Sequence, residues 1–170
     1  MSRNSGPTNL ASPRWSQIED AEALAALHRE TWRYAYAGII PGTGLERMLS
    51  RRGPGWWRRL HAGGGRALVL ADDRALTAYA LVGRCRGGAG GEIQELYVRP
   101  AWQGLGFGGL LFDASRAALA ARGLKPLTVW CLAENRIGCA FYRSRGGQET
   151  GRALDRVAGA LLEKRRFAWS

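Results

Sequence analysis

Tyr97-Val98-Arg99-Pro100-Ala101-Trp102-Gln103-Gly104-Leu105-Gly106-Phe107-Gly108-Gly109 is the stretch that most limits what this chain can become. It joins an alternating run, Glu92 to Val98, to an Ala/Leu-rich run, Leu110 to Arg122. The first has the period of a strand and the second that of a helix. Between them, glycines at alternate positions 104, 106 and 108 leave the backbone bare and free to turn its N–H groups inward. The helix that follows adds the positive end of its dipole, so the stretch is suited to cradling a pyrophosphate.

Upstream, Ser16 with Glu19 has the spacing of a capping box, with Asp20 a competing N-cap. They open a first helix that ends near Ala37-Gly38. Leu24, Leu27, Thr31 and Ala35 follow helical spacing, with His28, Trp32 and Tyr36 as a neighbouring row. His28 and the aromatics Trp32, Tyr34 and Tyr36 either bury this helix or line part of an acceptor pocket. Leu45 to Arg51 reads as a second helix, and Trp56 to Ala62 as one or two further turns beyond Gly53-Pro54-Gly55. Arg66 to Ala71 and Ala75 to Cys85 read as strands joined by a turn at Asp72-Asp73-Arg74, and Arg86 to Gly91 as a second hairpin turn.

Downstream, Phe107, Leu110, Leu111, Ala114, Ala118 and Ala121 form a core-facing stripe, and Gly123 and Pro126 end that helix. Leu127 to Cys131 is a strand, Asn135 caps a helix to about Ser144, and Gln148 to Leu154 and Leu161 to Trp169 are final antiparallel strands. On the last helix the spacing puts Ile137, Ala140, Phe141 and Ser144 toward the core and Asn135, Gly138, Cys139 and Tyr142 on the other face. The order is helix, helix, three strands, helix, strand, helix, two strands. It predicts a mixed α/β domain around a largely antiparallel sheet.

A chain of 170 residues suits one domain, here residues 14–170 after a poorly ordered lead-in at 1–13. The polar start has no apolar h-region, so no secretory signal is expected, and no apolar run nears the ~20 residues of a membrane span. Cys85, Cys131 and Cys139 are odd in number and make no CxxC pair, which favours reduced thiols in the cytoplasm and no metal site. The net charge of +11 invites a nucleic-acid reading. The arginines, however, are scattered from Arg3 to Arg166 and form no stripe. An arginine-rich composition, or attraction of a small polyanion, accounts for them before nucleic acid does.

What the glycine loop holds is narrowed by what is missing. A dinucleotide fold needs an acidic residue about 20 positions on, and Lys125 to Cys131 has none. A P-loop needs Lys-Ser/Thr where Leu110-Leu111 stand. What is present is Val98, Pro100, Gln103, Gly104, Gly106 and Gly108, then Asn135 with Ala140-Phe141-Tyr142 and Gly146. These paired motifs resemble the GNAT superfamily of acetyl-CoA-dependent N-acetyltransferases, over about residues 16 to 169. The stretch Trp32 to Pro41 is similar to the first-helix region of many bacterial members.

The resemblance implies an α+β, GNAT-like fold: a mostly antiparallel twisted sheet of six to seven strands, splayed between Glu92–Val98 and Leu127–Cys131, with about four helices. It implies acetyl-CoA as donor, CoA as product, and a donor site of Leu96, Tyr97, Val98, Gln103, Gly104, Leu105, Gly106, Phe107, Gly108, Asn135, Cys139 and Tyr142. Gln103 stands where many relatives have arginine, a change that spares the backbone contacts. By the same resemblance Tyr142 sits near the CoA sulfur and Asn135 near the pantetheine, and the Val98 N–H polarises the carbonyl. Trp32, Tyr36 and Ile39 fall in the segment that builds acceptor pockets.

Direct attack of an amine on a thioester needs a neutral amine, a polarised carbonyl and a proton for the departing sulfur. Tyr142 is the candidate acid. Glu92 is the first candidate base and Glu95 the second, and strand alternation puts only one of them toward the cleft. A primary amine near pKa ~10.4 and a glutamate near ~4.3 differ by roughly 6 units, or roughly 8 kcal/mol, so direct transfer is uphill and a water relay or a raised glutamate is needed. The cysteines have no histidine in these motifs to partner them, which argues against an acyl-cysteine route. The expected activity is acetyl transfer to an amine of a small molecule or peptide, in a ternary complex. The basic acceptor segments point to amino-acid-like or carboxylate-bearing amines. The alternatives are acetylation of a protein terminus or lysine, and a non-catalytic acyl-CoA sensor. A homodimer stays open, and neither a membrane nor nucleic acid is an expected partner.

Overall fold

In the computed structural model the described residues are 12–73 and 75–170. Most of the expected lead-in, residues 1–11, and Arg74 of the first hairpin turn lie outside the described residues. The elements in chain order are β1 (Arg14–Trp15), α1 (Ala21–Tyr36), α2 (Gly42–Arg51), α3 (Pro54–Ala62), β2 (Leu68–Ala71), β3 (Leu76–Arg84), β4 (Gly91–Val98), α4 (Phe107–Ala121), β5 (Leu127–Leu132), α5 (Arg136–Ser144), β6 (Gln148–Val157) and β7 (Ala160–Trp169).

The seven strands form one sheet in the order β1-β2-β3-β4-β5-β7-β6. Every pairing is antiparallel except β4 with β5. That parallel pairing is confined to Gly91 opposite Leu127 and Glu92 opposite Thr128. Beyond those two rungs the strands part, as expected of splayed central strands. Five α-helices surround the sheet, one more than expected, because Pro54 at the first helical position starts α3 early.

Packing fixes the two faces. On one, Leu24, Leu27 and Trp57 of α1 and α3 bury Val69, Tyr79 and Leu81. On the other, Phe107 and Leu111 of α4 cover Leu68, Leu70, Ala78 and Ala80, while Phe112 and Leu119 join Ile93, Val129, Phe167 and Trp169. α2 closes over Tyr36, Ile40 and Leu162 with Leu45 and Leu49.

Three expectations need correction. The stripe of α4 is turned by one residue: Leu110 is exposed, and Phe107, Leu111, Phe112, Ser115 and Leu119 are buried. Alanines carry little apolar area, so the large Phe112 and Leu119 decide which face goes in. Ser16 does not cap α1. Its hydroxyl accepts from the Ala67 N–H at 2.9 Å and meets His61 Nε2 at 2.9 Å, tying the chain start to β2. Asp20 instead accepts from the Gln17 N–H at 2.8 Å. Finally, Arg14–Trp15 adds a short edge strand on β2 that two residues of sequence could not announce.

Candidate active site

The parting of β4 and β5 opens a cleft of about 440 Å³ between β4, the glycine loop and α5. Gly104 and Gly106 take left-handed conformations, at φ 77° and 86°, and Gly106 is the N-cap of α4. Only glycine does this cheaply, so the loop can bring bare N–H groups and a helix N-terminus to one point. Gly108 is needed for a different reason: a Cβ there would lie 3.2 Å from the Phe141 ring. Gln103 folds back to donate to the Val98 carbonyl at 3.1 Å.

Of the residues expected to hold the donor, Leu96, Tyr97, Val98, Gln103, Gly104, Gly106, Gly108, Asn135 and Tyr142 line this cleft. Leu105, Phe107 and Cys139 do not. Leu105 points to solvent, Phe107 is buried beneath the loop against Trp102, and Cys139 is inside the core with its Sγ donating to the Leu132 carbonyl. Arg145 also lines the cleft; it is ion-paired with Asp113 of α4 and stands near the backbone of Gly109. Its place one turn beyond Phe141 and Tyr142 was the available signal, hidden by the reading of that helix.

The faces of α5 differ in part from the expected ones, although Asn135, Gly138 and Tyr142 do line the cleft. Cys139 and Tyr142 go into the core with Phe167 and Trp169, whereas Ile137 is 63% exposed and, with Phe141 and Ser144, borders the cleft. Gly138 lines the cleft as expected, and it also lets α5 approach β5, since a Cβ would sit 2.9 Å from Cys131 Sγ. Asn135 does cap α5, accepting from the Gly138 N–H at 3.0 Å. Tyr142 therefore reaches the cleft from the core side. Burial drives its hydroxyl well above the ordinary tyrosine range, so it carries its proton at neutral pH.

The two candidate bases are arranged by a bulge in β4. Val82 faces Ile93, but Leu81 faces Glu95, so Gln94 is skipped. The skip reverses the alternation, and Glu92 and Glu95 lie on the same side of the sheet, the side of α1. The expectation that only one could face that way fails for this reason. Glu92 stands beside Thr128, on the last rung where β4 and β5 are still paired. Glu95 is about 10 Å farther along, where the strands have parted.

Glu95 is held closely. Its carboxylate is 9% exposed and accepts from Arg52 Nη2 at 2.6 Å and from the Tyr79 hydroxyl at 2.8 Å. His28 Nδ1 lies 2.7 Å from the same hydroxyl. Because the one hydroxyl proton goes to Glu95, His28 must donate through Nδ1, which leaves Nε2 as a bare acceptor. Burial, then the nearby Arg52 and Arg29, hold the His28 pKa down to about 3, so the ring is neutral. Arg52 lies 4.0 Å over the Trp56 ring.

The acceptor candidates gather under α2. Tyr36 is buried, with Trp32 and Ile39 packed beside it and Tyr97, and the Tyr36 and Tyr97 hydroxyls are 2.5 Å apart. Burial raises both well above the ordinary range, so this pair is two neutral hydroxyls. Ile39 also borders a shallow groove of about 710 Å³ at the α1–α2 loop. Among the described residues no His, Cys, Asp or Glu group could hold a metal ion, and no helix is long and apolar enough to cross a membrane.

Comparison with known proteins supports the fold. Uncharacterised N-acetyltransferase YuaI of Bacillus subtilis is 23% identical over 164 residues, 94% of this chain and 93% of that protein. A GCN5-related N-acetyltransferase of Rhodopseudomonas palustris superposes with a TM-score of 0.74 at 23% identity, covering 97% of this chain and 99% of that one. The PaiA N-acetyltransferase of Thermoplasma acidophilum, solved in complex with coenzyme A, gives 0.71 at 19% identity, covering 91% and 96%. The model of the acetyltransferase (GNAT) family matches residues 22–146, from α1 through α5. The chain belongs to the acetyltransferase (GNAT) family.

Proposed function

We propose that the chain transfers an acetyl group from acetyl-CoA to the amine of a small molecule or peptide, in a ternary complex. The observation that carries this is the meeting of three features in one cleft: left-handed glycines at a helix N-terminus, parted parallel strands, and Asn135 with Tyr142 on the facing helix. When bound, acetyl-CoA supplies an acyl group already activated as a thioester. Gly104, Gly106 and Gly108 with the N-terminus of α4 would hold its diphosphate, and Arg145 adds a cation at the same wall. Leu96 to Val98 offer backbone groups to an amide-bearing arm as a neighbouring strand would.

Tyr142 is the proton source in this reading: it borders the cleft with its hydroxyl protonated, and because burial also makes it a weaker acid, it gives that proton up only as charge develops on the departing sulfur. Neither Glu92 nor Glu95 lines the cleft; Glu95, on the stretch of β4 past the parting, is the nearer carboxylate to receive the amine's proton, whereas Glu92 lies at the closed end. With about 6 pK units between an ordinary amine and an ordinary carboxylate, a water between them is part of the proposal. Tyr36 and Tyr97, whose hydroxyls can accept as well as donate, would orient the amine.

Release of free thiol over a panel of amines, with wild type and Tyr142→Phe, tests the reading. Wild type is expected to turn over at least one amine, and the variant to lose about 10²-fold in kcat while binding acetyl-CoA as before. Tight acetyl-CoA binding with no amine-dependent thiol release across the panel would make the protein a sensor instead. Unchanged turnover in the variant would remove Tyr142 from the chemistry.

A further inference from the structure

Around Glu95 the structure concentrates something it has almost nowhere else. Among the described residues, five buried side-chain nitrogens have no hydrogen-bond partner: one is Nη1 of Arg52, whose Nη2 holds Glu95, and three more, His28 Nε2, Trp32 Nε1 and Trp57 Nε1, belong to the aromatic cluster packed about Tyr79. The rings concerned are packed on one another, with His28 4.7 Å from Trp32 and Trp57 5.5 Å from Tyr79 between centroids. Buried polar groups are ordinarily paired, and a protein that leaves several unpaired at one place keeps them there against a cost. What the arrangement does secure is Glu95. Arg52, just past the end of α2, reaches from the helices on the acceptor side to the strand that borders the cleft.

The consequence lies in the Gln94 bulge. Glu95 is the first residue after it, and every side chain from there to Val98 owes its direction to the extra residue. If β4 slid back into regular register, Glu95 and Tyr97 would move to the α4 side and Leu96 and Val98 to the α1 side. Tyr97 would leave Tyr36, and the cleft would lose its wall. Glu95 anchored to Arg52 and Tyr79 opposes that slip, because moving it would pull a 9%-exposed carboxylate from its charged and its polar partner and leave half-buried Arg52 without its ion pair.

We propose that Arg52 is a positioning residue for the transfer reaction: it locks the register of β4 through Glu95 and so aims Tyr97 and the Leu96–Val98 backbone at the cleft. The proposal rests on the cleft being the acetyl-transfer site. It also makes the α2–α3 turn part of the active site's support, although no atom of Arg52 lines the cleft.

Arg52→Met keeps the length of the side chain and removes the charge, and Arg52→Ala leaves a space for added methylguanidinium. Three measurements separate the possibilities: amide hydrogen exchange by peptide, binding of CoA by calorimetry, and steady-state thiol release. Both variants are expected to exchange at least tenfold faster in residues 93–98, with α4 and β5 as protected as in wild type. CoA binding should weaken by less than tenfold, because the glycine loop still holds the diphosphate while the Leu96–Val98 contacts loosen, and kcat should fall 30-fold or more. Methylguanidinium should restore both protection and turnover to Arg52→Ala and do nothing for wild type. Wild-type exchange in residues 93–98, with kcat within threefold, would overturn the proposal. So would a loss of protection spread over β4, α4 and β5 together with CoA binding, which is the mark of a residue serving stability alone. If wild type binds CoA but transfers to no amine, the transfer reading fails, and the exchange and rescue arms still decide whether Arg52 holds the bulge.

Discussion

Gly106→Ala is a test whose size can be set in advance. The residue sits at φ 86°, and a Cβ built there meets nothing within 4 Å, so the change introduces backbone strain without a clash inside the protein. Holding a non-glycine residue in the left-handed region costs about 1–2 kcal/mol. That cost must appear somewhere. If the loop keeps its shape, the folded state carries it, and unfolding free energy drops by about 1–2 kcal/mol with CoA affinity unchanged. If the loop relaxes, stability is spared, and binding must restore the shape at a cost of about 5- to 30-fold in Kd. The two losses should therefore add to about 1–2 kcal/mol. Urea melts and calorimetric titration with CoA measure both. Gly123→Ala, at φ 68° beyond the far end of α4, is the control, and should lose stability alone. No change in either measurement for Gly106→Ala would mean that the loop does not need its left-handed turn. A loss of affinity well beyond 30-fold would mean that strain is not what the alanine changes.

Other consequences can be checked directly. His28 is neutral in the fold with a pKa near 3 against an ordinary 6.5, so the unfolded chain takes up a proton that the folded chain refuses. Its contribution is complete above pH 6.5 and is lost as pH falls toward 3. Between pH 7 and 5 wild type should lose about 2 kcal/mol more stability than His28→Gln, and parallel pH profiles of the two would contradict this. Gly44 packs so closely on the β6–β7 turn that a Cβ would lie 2.3 Å from the Ala158 Cβ. Gly44→Ala should cost about 1–3 kcal/mol in thermal melts, and Ala158→Gly, which also frees a residue at φ 50°, should restore most of it. Failure of that rescue would show that the strain spreads beyond this contact.

The glycine loop, the strands and the capped last helix were legible because each follows a local rule: glycine freedom, alternation, a side-chain cap. What was not legible depended on partners. The two faces of α5 both carry apolar residues, Ile137 and Phe141 on one and Cys139 and Tyr142 on the other. A cleft wall built of apolar side chains reads like a core, so period alone could not choose between them. The order of Glu92 and Glu95 failed for a related reason. Alternation holds only while register holds, and nothing in Ile93-Gln94-Glu95 announces a bulge. Arg52 looked like one of many arginines; what sets it apart is its ion pair with a carboxylate that is itself 9% exposed.

A sheet edge is usually a hazard, because its unpaired N–H and C=O groups will accept any strand that comes by. This protein carries two such edges in the middle of its sheet, where β4 and β5 part after two rungs. They border the cleft walled by the glycine loop and α5, away from the rim of the sheet where β1 and β6 stand. Under the proposed function, the backbone groups that would make an ordinary edge prone to aggregate are the ones left free to pair with an amide-bearing ligand.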